Sequence, residues 1–151
     1  PEDLASGNIS KAQWWMVAER GWIEETALQG AVPTVVLPEA APECSLHFDE
    51  ALNQFVHIKS LGFGSTSISV AFSPRLEGPW SAPIPVHRPA ESERPEFLVY
   101  AGKGHAELEA GRTNKGHKWI AATYAVNTLD FARLVADSEI YYPRFVRIAT
   151  H

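Results

Sequence analysis

Residues 65–80 read Ser-Thr-Ser-Ile-Ser-Val-Ala-Phe-Ser-Pro-Arg-Leu-Glu-Gly-Pro-Trp, and the fold is decided in them. The first half alternates, with Thr66, Ile68, Val70 and Phe72 against Ser65, Ser67, Ser69 and Ala71. A period of two is the signature of a strand, because successive side chains point to opposite faces. The second half breaks the alternation with a turn at Gly78-Pro79. Beyond it, residues 82–87 carry Pro83 and Pro85. Proline donates no ladder hydrogen bond, so that strand must lie at a sheet edge. Working backwards, residues 54–60 form a strand, residues 49–53 a turn and residues 43–48 another strand. The segment 43–87 therefore predicts a four-stranded antiparallel unit ending on a proline-rich edge.

A second unit follows the polar connection at 88–96. Residues 97–101 are strand-like, Gly102-Lys103-Gly104 interrupts them, and His105-Ala106-Glu107-Leu108 continues the inner strand. Residues 109–117 are a solvated loop and 118–126 a strand. Residues 128–136 suit a short helix with Thr128 as its N-cap, and 140–149 form the last strand. Near the start, residues 11–18 and 22–28 flank Gly21 and read as a hairpin, a helix over 11–20 being the alternative. Residues 29–42 hold three prolines and read as a loop with an extended piece at 34–37.

The chain has 151 residues, of which 45% are hydrophobic and 21% charged, the balance of a globular domain. Its net charge of −5 and lack of a basic run argue against nucleic acid and against a membrane surface. Cys44 is the sole cysteine, which excludes an intrachain disulfide and a thiolate metal cluster and suits a small buried hydrophobe. The chain begins at Pro1 with no initiator methionine, so an N-terminus is expected to have been removed, by processing or otherwise, and the start of the chain gives no direct reading of localisation. Asn8-Ile9-Ser10 is a glycosylation sequon and favours a secreted or extracellular location.

Several motifs occur in one order: Ser45-Leu46-His47-Phe48, Ser73 to Trp80, Tyr100 to Leu108, Thr123-Tyr124-Ala125-Val126-Asn127 and Tyr142 to Arg147. Over roughly 43–149 this run resembles the C-terminal half of five-bladed β-propellers of the domain of unknown function 4185 type. Those are similar in fold to arabinanase-like glycosidases such as glycoside hydrolase family 43. The resemblance implies an all-β chain of antiparallel blades: a full blade at 43–87, a second at 97–149, and at 11–28 the hairpin of a preceding one. Rings close with about four or more blades, so self-association or a missing N-terminal half is expected to complete it. The implied function is carbohydrate-directed, glycoside hydrolysis in the assembled propeller, with catalytic carboxylates largely outside this chain. The alternatives are a non-catalytic carbohydrate-binding module and a structural interaction fragment. Calcium enters by analogy alone. Ala106 stands where the family pattern has Pro.

In such a propeller the inner strands line the channel. Glu43, Ser45 and His47 share one face, as do His105 and Glu107, and His47 would face His105 across the channel. His105 and Glu107 are the catalytic candidates, and each has a plain reading beside it: a hydrogen-bonded filler for the histidine, an ion pair for the glutamate. His47, Tyr124, Asn127 and Arg144 are candidates for sugar binding. Arg144 equally suits a salt bridge to an acidic residue, and Asn127 a backbone bond in its turn. Trp14, Trp15 and Trp119 serve as sugar platforms or as core, and Trp80 as a wedge between blades. His57, His87 and His117 fall on outer strands or a loop and carry no assigned role. No pair of carboxylates can be placed at the roughly 5–9 Å that glycosidases use.

Overall fold

A computed structural model describes residues 13–16, 21–37, 40–62, 66–108 and 118–150. The sequon at Asn8 and the whole 109–117 loop, with His117, lie outside them. The chain divides into two compact units, Pro1–Pro38 and Glu39–His151. In the first, β1 (Gln13–Trp15) pairs antiparallel with β2 (Trp22–Glu24), as the hairpin reading expects. Trp15 stands opposite Trp22, their ring centroids 5.4 Å apart.

The second unit is all-β with one short helix. β3 (Cys44–Asp49), β4 (Gln54–Leu61), β5 (Ser67–Ser73) and β6 (Ile84–His87) form an antiparallel sheet in simple chain order. The β3–β4 turn is set by Asp49, whose carboxylate accepts from the amides of Ala51 and Leu52, and by Asn53, whose φ is +52°. Both residue types tolerate such turns. β6 is an edge strand, as Pro83 and Pro85 require, and a register shift lies in β5 between Ile68 and Ser69, where β6 pairs. A 3-10 turn at Ala90–Glu93 leads to the second sheet, β7 (Leu98–Gly104), β8 (Lys118–Asn127) and β9 (Arg144–Thr150), again antiparallel in chain order. Helix α1 (Phe131–Ala136) connects β8 to β9. Its N-cap is Asp130, which accepts from the Arg133 amide, rather than the expected Thr128. Thr128 sits two residues earlier and accepts from the Asp130 amide instead.

The core lies between the two sheets. Val56, Ile58, Ile68 and Val70 meet Val99, Ile120, Val126 and Ile148. The contact is closest where β7 crosses β3 and β4. The Gly102 amide donates to Ser60 Oγ at 2.8 Å and the Gly104 amide to Ser45 Oγ at 2.7 Å. Thr66 Oγ1 donates to the Val99 carbonyl at 2.9 Å. A Cβ on Gly102 would lie 2.7 Å from the Ser60 nitrogen, and one on Gly104 would lie 2.6 Å from Ile58 Cδ1. Gly102 therefore serves the close approach of two backbones, and Gly104 the approach of β7 to the side chains of Ile58 and Ser45. Both glycines belong to β7 and do not interrupt it. The register of the strand shifts between Tyr100 and Lys103, a span that includes Gly102, with Ala101 at φ +56°.

The far face of the first sheet is buried as well, at His57, Lys59, Ser69, Ala71 and Ser73. His57 is on the central strand β4, not an outer one. Trp80 does not wedge between the sheets. Its indole N–H donates to the Leu76 carbonyl within its own turn, and its ring lies 6.1 Å from that of His57, on the face turned from the second sheet. Cys44 is half-buried rather than fully enclosed.

Gly102→Ala should destabilise the fold by about 3 kcal/mol, the upper range of overpacking, because the obstructing atoms are backbone. Denaturant unfolding measures it; a loss below about 0.5 kcal/mol, the scale of an ordinary surface change, would show that β7 does not lie against β4 as described.

Candidate functional site

β8 alternates cleanly. Ile120, Ala122, Tyr124 and Val126 are buried toward the first sheet, while Trp119, Ala121, Thr123, Ala125 and Asn127 lie on the second face and are only half-buried. Each face carries a polar cluster of its own.

On the inner face, Arg144 Nε donates to Glu91 Oε1 and the Tyr124 hydroxyl to Glu91 Oε2, both at 3.2 Å. Tyr124 stands opposite Arg144 in the β8–β9 register, so a carboxylate from the 3-10 turn clamps two neighbouring strands. Arg144 also donates to the carbonyls of Tyr142 and Glu139, which fixes the turn carrying the exposed Tyr141 and Tyr142. Burial pushes the Tyr124 hydroxyl up to about 12, helped by the Glu91 charge and its hydrogen bond. For Glu91, burial works upward, but hydrogen bonds from its own amide, Arg144 and Tyr124 outweigh it and leave the carboxyl below its ordinary value. The His87 ring lies 5.6 Å from that of Tyr124, and its Nε2 is buried without a hydrogen-bond partner among the described residues. Tyr124 and Arg144 thus act as supports here; Tyr124 is only 7% exposed and is not open to a sugar.

On the second face, the β7–β8–β9 register aligns Lys103, Thr123 and Phe145, then Ala121 with Arg147, then Trp119 with Ala149. His105 and Glu107 do not continue the inner strand. They occupy the turn after β7, because the irregularity at Ala101 lets Gly102 and Gly104 carry the strand to its end. The turn is tied down by the His105 amide, which donates to the Ala121 carbonyl at 2.9 Å, and by the Leu108 amide, which donates to the His105 carbonyl at 3.1 Å. His105 Nδ1 is 2.9 Å from Glu107 Oε1, and His105 Nε2 is 2.8 Å from Thr123 Oγ1. The Glu107 carboxyl is held below its ordinary value by its own amide and by His105. The Phe145 ring lies 6.3 Å from the imidazole and is itself 65% exposed. At the far end of this face, Asn127 accepts from the Thr128 amide at 2.8 Å, the backbone role its residue type favours, and reaches Tyr100 Oη at 3.5 Å. Burial and a hydrogen bond to Tyr141 raise the Tyr100 hydroxyl.

Of the residues singled out in the sequence, the structure joins His105 to Glu107 and Arg144 to the inner clamp. His47 is half-buried on β3 opposite Val56. Thr123 and Glu91 were not singled out; each is recruited by pairing across the sheets that no local pattern signals. A cavity of about 360 Å³ opens between β5, β6 and β9, walled by Val70, Phe72, Ile84, Val86 and Ile148 with Gln54 at its rim. It is an apolar continuation of the core. Among the described residues no cluster of three metal-ligating side chains occurs. No known protein family matches the chain, and neither a curated protein nor a solved structure matches it.

Acid should weaken the unit in two stages. Burial, reinforced by the Lys59 charge, lowers the affinity of His57 for a proton. The unfolded chain then takes up that proton first, and stability falls as the pH drops below the ordinary 6.5. The lowered Glu91 carboxyl contributes stability that is complete above its ordinary 4.5 and is lost as the pH falls toward its folded value. Melting curves from neutral to acid pH should show that His57→Gln removes the first decline and Glu91→Gln the second; unchanged slopes in both variants would contradict the assignment.

Proposed function

We propose that this chain is a carbohydrate-directed β module that binds a glycan on the second face of the β7–β8–β9 sheet. The observation that carries this reading is the composition of that face. Aromatic side chains of Trp119, Tyr100 and Phe145 flank a floor of Ala121, Ala125 and Ala149, and His105, Thr123 and Asn127 supply polar groups between them. Sugar rings present apolar C–H faces that stack on aromatics and hydroxyls that need paired donors and acceptors, and small floor residues leave room for both. Arg144 contributes from behind by fixing the Tyr141–Tyr142 turn. The resemblance to glycosidase-like propellers supports the same substrate class, and an extracellular setting suits it.

Neither glutamate of the two clusters suits the general acid of a glycosidase. A glycosidase needs a general acid whose carboxyl is raised above its ordinary value. Glu91 and Glu107 are both lowered, by Arg144 and by His105 among their partners. Polysaccharide hydrolysis in an assembled propeller would draw its acid from residues other than these two.

Affinity electrophoresis against a panel of soluble plant and microbial polysaccharides tests the reading. At least one should retard the protein without releasing reducing ends. Trp119→Ala and Phe145→Ala should each weaken retardation about tenfold, the loss of one aromatic stacking contact. Binding that survives both substitutions, or no retardation by any member of the panel, would overturn it.

A further inference from the structure

The bonds running from Glu107 through His105 to Thr123 are arranged for a task that glycan binding does not require. Glu107 Oε1 lies 2.9 Å from Nδ1, and Thr123 Oγ1 lies 2.8 Å from Nε2. An ionised carboxylate can only accept, so Nδ1 carries the proton and Nε2 presents a lone pair. The Thr123 hydroxyl then donates to Nε2. This is the order of groups that activates a hydroxyl nucleophile: an acid that orients, an imidazole that accepts the proton, and a hydroxyl that loses it. The Glu107 side chain is 69% exposed and that of His105 is 21% exposed; so open an ion pair adds little to stability. Backbone bonds to Ala121 and within the turn already fix the segment. Thr123 is accessible in part, and its cross-strand neighbours are Lys103 on one side and Phe145 on the other. The register thus sets a lysine and an aromatic residue on the strands flanking Thr123, the Phe145 ring 6.3 Å from the imidazole.

We propose that Thr123 is an acyl-accepting nucleophile, with His105 as its general base and Glu107 as the positioning residue, and that short acyl esters are the substrate class. Thr123 Oγ1 attacks the ester carbonyl and its proton passes to His105 Nε2. The bond from carbonyl carbon to alcohol oxygen breaks, and the proton on Nε2 leaves with the alcohol. Water then attacks the acyl-threonine, gives its proton to Nε2, and releases the carboxylic acid as Thr123 recovers its hydrogen. Positive charge from Lys103 opposes the negative charge that develops on the carbonyl oxygen. No further co-reactant is needed. The inference uses two polar groups of the same face as the glycan reading but does not rest on it, since a small ester requires no sugar platform.

The test uses the full chain and p-nitrophenyl acetate, following p-nitrophenolate release and locating the acyl group by peptide mass spectrometry. The expected result is turnover above buffer with an acyl group on Thr123. Thr123→Val, which keeps the branched shape suited to a strand, should abolish the adduct. It and His105→Ala should lower the rate by about 100-fold or more, the range of general-base catalysis. Thr123→Ser should retain activity, and Glu107→Gln should lower kcat with KM and melting temperature unchanged. Circular dichroism confirms that each variant is folded. Release by wild type no faster than by folded Thr123→Val, or acylation found only on Lys103 or other lysines, would overturn the proposal.

Discussion

The second unit depends on the seam where the backbone of β7 lies on β3 and β4. β7 is the edge strand of its sheet, and an edge strand carries a row of amides and carbonyls that its own sheet cannot satisfy. Ser60, Ser45 and Thr66 supply the missing partners for Gly102, Gly104 and Val99. A buried amide left unpaired costs about 1–3 kcal/mol, so three side-chain hydroxyls together set where the second sheet sits. The two glycines complete the condition, because any Cβ would meet the facing strand. The same residues therefore satisfy an edge, exclude side chains from the seam and fix the spacing of the two layers.

What happens on the far side of that sheet follows from the seam. With Val99, Tyr124 and Val126 committed to the core, the alternation of β8 leaves Thr123 and Asn127 on the other face. Because Gly104 ends β7 against Ser45, the chain turns immediately afterwards, and His105 is delivered beside Thr123 on the neighbouring strand. The Glu91 clamp performs a matching task at the other end, holding Tyr124 to Arg144 and, through Arg144, the turn with Tyr141 and Tyr142. One polar cluster is closed and structural. The other is open and has the order of groups suited to proton transfer.

Much of the fold was legible in the chain because the signals were local. The alternation of 65–72 and the prolines at 83 and 85 gave β5 and the edge strand β6, and the meander order followed from short turns. The residues around Gly102 were misread because their signal is not local. A glycine beside a glycine-flanked lysine resembles a turn, whereas here it answers the approach of a strand about forty residues earlier, a separation of 42 for the Gly102–Ser60 bond. That error moved His105 and Glu107 onto a strand and hid their relation to Thr123. The helix start failed for a different reason: Thr128 and Asp130 are both good caps, and only the connection from β8 chooses between them. The sugar candidates divided similarly. Asn127 kept the backbone role its residue type predicts, while Tyr124 turned inward because β8 places even positions in the core.

Hydrogen exchange at the Gly102 and Gly104 amides, resolved by nuclear magnetic resonance, addresses the seam most directly. Both belong to an edge strand, where free amides exchange as fast as those of a loop. Bonded to Ser60 and Ser45, both should exchange as slowly as the amides of β4 and β8 in the same unit. Exchange of both at the rate of unbonded, solvent-exposed amides would contradict the seam, and with it the placement of His105 beside Thr123.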